Sequence, residues 1–344
     1  MVPCAQPQVP VELRALAREF ELGGVLCQAA ALVDTLQAAD LMREIGTLAR
    51  EVPLWTGLWP GVRKTIPPLT DWPPVLTLTR ADAADLTAAF ARARARELLA
   101  LGCSFAAGPV LDLGEDSGAN ADRPGSDPLQ VARHAARIVE ISHAEGLATC
   151  AAHFPGLRSA VRDSALAWPL VDAAPEELDA VDWQPFRAVI AAGVPAVLAA
   201  HVLVPGLDDR APAAQSRALV SEALRGRLHF GGTVFADGTG PAVEPGAGLP
   251  APVVRTFAAG CDVVLLPSAR VDDAAEMLEH VVREAERNPR FVLRLEEALR
   301  RHETMKAAYL SEGARRRRPA PPSLTELLAS ADGERVADRM RAFA

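Results

Sequence analysis

Gly146-Leu147-Ala148-Thr149-Cys150-Ala151-Ala152-His153-Phe154-Pro155-Gly156 holds one complete structural unit of this chain. Upstream of it, Asp127-Pro128 reads as an N-cap followed by proline at the first helical position. It opens a helix through Val131, Ala135, Ile138 and Ile141. Gly146 falls where that helix ends, and glycine adopts the left-handed conformation that turns the chain into a strand. The run from Leu147 to Ala152 is apolar except for Thr149, instead of alternating. A continuous apolar strand is buried on both faces, which implies a parallel sheet. His153 is the polar residue just past the run.

The same unit recurs. Gly24 precedes Val25-Leu26-Cys27, Gly102 precedes Cys103-Ser104-Phe105, and Gly193 precedes a run through Val197 and Leu198. Gly232 precedes Thr233-Val234-Phe235, and Gly260 precedes Cys261-Asp262-Val263-Val264-Leu265-Leu266. Two more strands are expected, one over Val52 to Leu58 and a short one near Met1 to Cys4. Eight parallel strands with helices between them make an α/β fold of the (β/α)8 TIM type. The competing fold is an open doubly wound sheet, whose best sign, a Gly-rich phosphate loop after the first strand, is missing from the sequence. Pro175-Glu176-Glu177 opens another helix, which Pro185 is expected to divide before Phe186 to Ala192. The barrel is expected over residues 1–310. Residues 311–344 read as a proline- and arginine-rich arm with short helices at Ser323 to Ala329 and Glu334 to Phe343, packed on the barrel or on another subunit.

The 344 residues are 49% hydrophobic but only 5% aromatic, so alanine, leucine and valine must fill the core. A net charge of −8 disfavours a nucleic-acid partner. The basic run Arg315 to Arg318 beside Pro319, Ala320, Pro321 and Pro322 reads as a solvated linker. The five cysteines, Cys4, Cys27, Cys103, Cys150 and Cys261, lack metal-ligand spacing. They read as buried small hydrophobes in a reducing compartment. The N-terminus has neither a basic n-region nor a long apolar core, so no signal peptide is expected. The apolar segment Ala188 to Pro205 contains Gly193, Pro195 and His201. It divides into a helix end and a strand, not a membrane span. These readings place the protein in the cytoplasm, with no membrane partner.

Active sites of such barrels lie at the C-terminal ends of the strands. The polar residues just past the apolar runs are Asp112, His153, His201 and Asp237. Each alone has an ordinary structural reading, as a helix cap or a satisfied core histidine. Four converging suggest a polar pocket.

From about Leu13 to Leu310 the chain resembles glycoside hydrolase family 3, of the bacterial β-N-acetylhexosaminidase type. Ala151-Ala152-His153-Phe154-Pro155-Gly156, then Asp163-Ser164-Ala165 and Trp168-Pro169, is similar to the family's Lys-His-Phe-Pro-Gly-His-Gly motif, its Asp-Ser-His loop and its Leu-Pro. Arg18-Glu19-Phe20 with Gly23-Gly24-Val25-Leu26, Gly108-Pro109-Val110-Leu111-Asp112-Leu113 and Ala200-His201-Val202 resemble further family segments. So do Asn120, Asp122 and Arg123 with Ser126-Asp127-Pro128, and Gly260-Cys261-Asp262-Val263-Val264-Leu265. Gly231-Gly232-Thr233-Val234-Phe235-Ala236-Asp237 looks like the strand that ends in the catalytic aspartate. The resemblance implies a retaining mechanism with Asp237 as nucleophile, Arg123 and His153 gripping sugar hydroxyls, an amino-sugar glycan as ligand, and no metal or other cofactor.

The departures bear on activity. The family's acid/base histidine is Ala165 here, although its partner survives as Asp163. The sugar-binding lysine is Ala152. The sugar-binding aspartate after the third strand is replaced, by gap-free counting, by Trp59, and the aspartate after the nucleophile is Gly238. General acid–base catalysis contributes about 10²–10⁴-fold in rate. Each missing charged hydrogen bond costs binding about 1.5–3 kcal/mol. Asp163 is the candidate replacement acid, its plain reading being a solvated loop residue or a cap. Trp55, Trp59 and Trp168 are candidates for stacking on a sugar, or core anchors. The expected function is a divergent glycoside hydrolase; the alternative is a silent family member that binds a glycan or a protein. A metal-dependent hydrolase is disfavoured because the seven histidines form no His-x-His pair at a strand end.

Overall fold

The computed structural model describes residues 1–49, 55–58, 69–114, 123–161, 168–237, 250–266, 271–316 and 323–344. Its strands are β1 (Val2–Cys4), β2 (Gly24–Cys27), β3 (Trp55–Leu58), β4 (Phe105–Val110) and β5 (Ala148–Phe154), then β6 (Ala160–Val161), β7 (Leu170–Val171), β8 (Ala196–Ala199), β9 (Thr233–Asp237) and β10 (Val263–Leu265). Eight of them form one sheet in the order β1-β2-β3-β4-β5-β8-β9-β10, and every pair in it is parallel. The Leu266 N–H donates to the Met1 carbonyl at 3.1 Å, bringing the last strand against the first. This is the (β/α)8 barrel expected from the repeating unit. β6 and β7 form a separate antiparallel ribbon, which the sequence reading did not anticipate.

The helices are α1 (Val11–Glu19), α2 (Thr35–Gly46), α3 (Leu76–Ala81), α4 (Ala84–Ala100), α5 (Pro128–Glu145), α6 (Pro175–Glu177), α7 (Trp183–Ala191), α8 (Pro250–Ala259), α9 (Val271–Arg287), α10 (Pro289–Leu310), α11 (Glu312–Arg316), α12 (Leu324–Ser330) and α13 (Asp332–Arg341). α5 forms as its signals require. The Asp127 carboxylate accepts from the N–H groups of Leu129 and Gln130, and Gly146 ends the helix at φ 102°. Two expectations are corrected. The fourth strand begins at Phe105, not Cys103, because the Cys103 N–H is still bonded to Leu98 O at the end of α4. The helical run from Pro175 to Ala191 does not break at Pro185. A wider π-type turn at Leu178–Asp182 precedes α7, and Pro185 falls in the first turn of α7, where a missing N–H is tolerated.

Strand residues alternate between two cores. Ala148, Cys150, Ala152, Ala196, Leu198 and Phe235 share the cluster that fills the barrel, while Ala151, Val197, Ala199 and Ala236 pack outward against the helices. Inside, Phe105 stacks on Phe235 with centroids 5.1 Å apart, a contact worth about 0.5–1.5 kcal/mol beyond area burial. Met305, Tyr309 and Leu310 of α10 join this inner cluster, so α10 covers the N-terminal mouth and leaves the other end for the site. All five cysteines are buried free thiols. The last helix docks on the barrel's own helices. Met340 is buried with Leu78, Leu86 and Phe90, and Arg339 pairs with Asp85 at 2.7 Å. The Arg315–Arg318 run lies partly outside the described residues. No described helix is long and apolar enough to cross a membrane.

Candidate active site at the C-terminal ends of the strands

Asp112 follows β4, His153 lies in the last turn of β5, His201 follows β8, and Asp237 is the final residue of β9. All four therefore sit at the C-terminal end of the barrel. The register links their levels. Phe154 pairs with Ala199, and Ala199 with Ala236, so His153 and Asp237 are close to one row, two strands apart. Two strand spacings put their backbones about 10 Å apart.

Asp112 and His153 are in direct contact. Asp112 is buried, and its Oδ2 lies 2.7 Å from His153 Nδ1. A carboxylate only accepts, so Nδ1 carries the proton and Nε2 is the nitrogen on the far side of the ring. Asp112 Oδ1 also accepts from the backbone N–H groups of His153 (3.3 Å) and Leu157 (3.1 Å). The carboxylate thus fixes the ring and the turn behind it. That turn, Pro155 to Arg158, is gripped from other sides. Trp183 Nε1 donates to Pro155 O at 3.1 Å. Arg158 donates to Glu177 at 2.5 Å and to Asp182 at 3.1 Å. Burial raises the Asp182 carboxyl above its ordinary value, and Arg158 opposes that shift.

Arg123 reaches the same turn from the β4–α5 connection. Its Nη2 donates to Leu157 O at 3.0 Å, and its Nη1 to Leu113 O at 3.2 Å and Arg158 O at 3.5 Å. His201 is half-buried, and the Ala200 N–H before it bonds to Phe154 O at 2.8 Å. Trp168 is half-buried beside β7.

Of the two readings open for the tryptophans, the structure selects the core anchor for Trp55. It opens β3 at the opposite end of the barrel, is fully buried, and donates its Nε1–H to His302 Nε2 at 2.9 Å. It is a core anchor. Trp59, Asp163, Ala165, Asn120, Asp122 and Gly238 lie outside the described residues. The sequence reading did not single out Leu157 and Arg158. They stand where the family motif has His and Gly, and that mismatch was the available signal. Among the described residues no group of three or more His, Cys, Asp or Glu side chains is arranged to hold a metal ion.

Comparison with known proteins identifies the family. The description "Glycosyl hydrolase family 3 N terminal domain" matches residues 5–301. A Beta-hexosaminidase of Stenotrophomonas maltophilia (strain R551-3) is 38% identical over 212 residues, which are 61% of this chain and 63% of that protein. That match therefore spans just under two thirds of the relative's length. A Beta-hexosaminidase of Tolumonas auensis is 33% identical over 279 residues, 78% of this chain and 82% of that protein. Among solved structures, a family 3 β-N-acetylglucosaminidase from Paenibacillus sp. superposes with a TM-score of 0.87 at 26% identity, covering 100% of this chain and 66% of that one. NagZ from Neisseria gonorrhoeae, solved with N-trifluoroacetyl-D-glucosamine, gives 0.75 at 25% identity and covers 99% and 97%. A family match from residue 5, just past β1, to residue 301, inside α10, leaves one assignment: this chain belongs to glycoside hydrolase family 3.

Proposed function

We propose that this protein is a divergent retaining glycoside hydrolase acting on β-linked N-acetylhexosaminides, with Asp237 as the nucleophile. The observation that carries this reading is the place of Asp237, at the C-terminal end of β9 in a barrel matched through that strand to family 3. In the first step the Asp237 carboxylate attacks the anomeric carbon, the glycosidic bond breaks, and the leaving oxygen takes a proton. In the second, water displaces Asp237 and returns a proton to the same donor. That donor is not residue 165, which is alanine; Asp163 is the first candidate. His153, Asp112, Arg123 and His201 line the sugar subsite, and Trp59, outside the described residues, is the candidate sequence position for a further sugar contact. The barrel over 1–310 carries this chemistry and 311–344 form an accessory arm, and the buried free thiols suit a cytoplasmic location.

A second reading rests on the same substitutions. With Ala152 for lysine and Ala165 for histidine, the chain is a silent family member that binds a glycan or a protein. Hydrolysis of a nitrophenyl β-N-acetylglucosaminide by wild type and by Asp237→Asn separates the two. The first reading expects release by wild type and loss of about 10³-fold or more in the variant, the scale set by removing a nucleophile. Release by neither favours the second, and release at equal rates by both would show that Asp237 is not the nucleophile.

A further inference from the structure

We propose that Arg123 is a positioning residue that fixes the turn behind His153 by clamping its backbone, whatever contact its remaining donors make with a sugar. Three features support this. First, both terminal nitrogens of the guanidinium are already engaged: Nη1 and Nη2 donate to the carbonyls of Leu113, Leu157 and Arg158. Second, the clamp is two-sided. The N–H of Leu157 is held by Asp112, and its C=O by Arg123. An anion and a cation from the two ends of one connection thus grip both polar groups of a single residue. The Gly156 N–H closes the turn onto His153 O at 2.7 Å, so the clamped segment is continuous with the histidine.

Third, the backbone beneath the arginine is shaped for it. Gly114 and Gly125 exchange hydrogen bonds of 2.8 and 3.0 Å, closing the base of the segment that carries Arg123. Gly114 has φ +141°, and a Cβ there would lie 2.6 Å from Arg123 Nη1 and 2.8 Å from its Cδ. Only glycine lets the side chain lie across the strand end and reach the next loop. A free arginine aimed at solvent needs no such clearance.

The test is hydrogen exchange of the full chain, which does not depend on the proposed activity, with hydrolysis as a second arm that does rest on it. Arg123→Met removes the clamp. Gly114→Ala keeps the arginine but displaces it. Both are expected to speed exchange at the Gly156 and Leu157 amides by roughly tenfold, equivalent to about 1.4 kcal/mol, and to leave exchange in α10 unchanged. In nitrophenyl glycoside hydrolysis both are expected to lower kcat/KM in parallel. Unchanged turn exchange in Arg123→Met overturns the proposal, whatever the activity. Fast exchange throughout the chain also overturns it, since it would make Arg123 a general stability element. If wild type is inactive, the exchange arm still decides the role of Arg123, and only the hydrolase reading fails.

Discussion

Asp262 shows how much one residue holds in this barrel. It sits just before β10 with a fully buried side chain. It accepts from Arg225 and Arg294 at 2.5 Å, from Arg301 at 3.3 Å, and from the Val234 N–H at 2.9 Å. Three cations converge on Asp262, the fully buried anion of the cluster, while the more exposed Glu297 also pairs with Arg294 and Arg301. Burial pushes the Arg225 guanidinium pKa down, with Asp262 opposing. Asp262→Asn keeps the shape but removes the buried charge, leaving the more exposed Glu297 to offset the guanidinium groups. Breaking such a buried network costs about 3–5 kcal/mol, and urea denaturation should show that loss as a lower midpoint with little change in slope. A loss under about 1 kcal/mol, the scale of an exposed pair, would show that solvent reaches the cluster. Asp262 stood in a recognisable strand segment, but its role was not legible. Its partners at 225, 294 and 301 are scattered, and only the closed barrel gathers them.

At the scale of elements, α10 contributes a pH dependence. It lies over the N-terminal mouth, and its buried His302 accepts from Trp55. That bond requires an unprotonated Nε2. Desolvation, then the nearby Lys306, pushes the His302 pKa from 6.5 down to about 3. A histidine depressed in the folded state contributes stability that is complete above the unfolded pKa and lost as pH falls through the window toward the folded one. Between about 6.5 and 3, His302 should therefore cost about 1.4 kcal/mol of stability per pH unit. His302→Gln keeps an acceptor for Trp55 but does not titrate. Thermal unfolding from pH 7 to 4 should lower the wild-type Tm more than that of the variant; parallel curves would contradict this account. The strands that make the barrel were legible because each is a local signal, an apolar run after a helix-ending glycine. The β6–β7 ribbon and the plug formed by α10 were not. The first is two residues a side, and the second is an amphipathic helix whose partner cannot be read from its own sequence.

For the whole molecule, the floor and the rim of the barrel have different jobs. Stability resides in the inner cluster and the Asp262 network at one end, and the candidate chemistry lies at the other. On the proposed function, rim substitutions can therefore change catalysis without unfolding the chain. The family scaffold was legible because motifs such as His153-Phe154-Pro155-Gly156 keep both order and spacing. The rates were not, because catalysis turns on single atoms. Ala165 has no proton to give, and Leu157 has replaced an imidazole on a turn whose backbone is still held by Asp112 and Arg123. An activated nitrophenyl leaving group needs little protonation, so if Asp237 is the nucleophile, as proposed, and the acid is weak, the barrel should act on it first. Natural β-linked disaccharides, with poorly leaving alkoxides, should be cleaved far more slowly. Ala165→His restores a group that titrates near neutrality beside the surviving Asp163. It should raise kcat on the poor leaving groups by about 10²-fold, the lower end of general acid catalysis, and on the nitrophenyl substrate by much less. Steady-state kinetics across leaving groups of graded pKa would show this as a steep dependence in wild type that flattens in Ala165→His. A flat dependence already present in wild type would mean that an efficient acid occupies the site, and Asp163 would then be the first residue to replace.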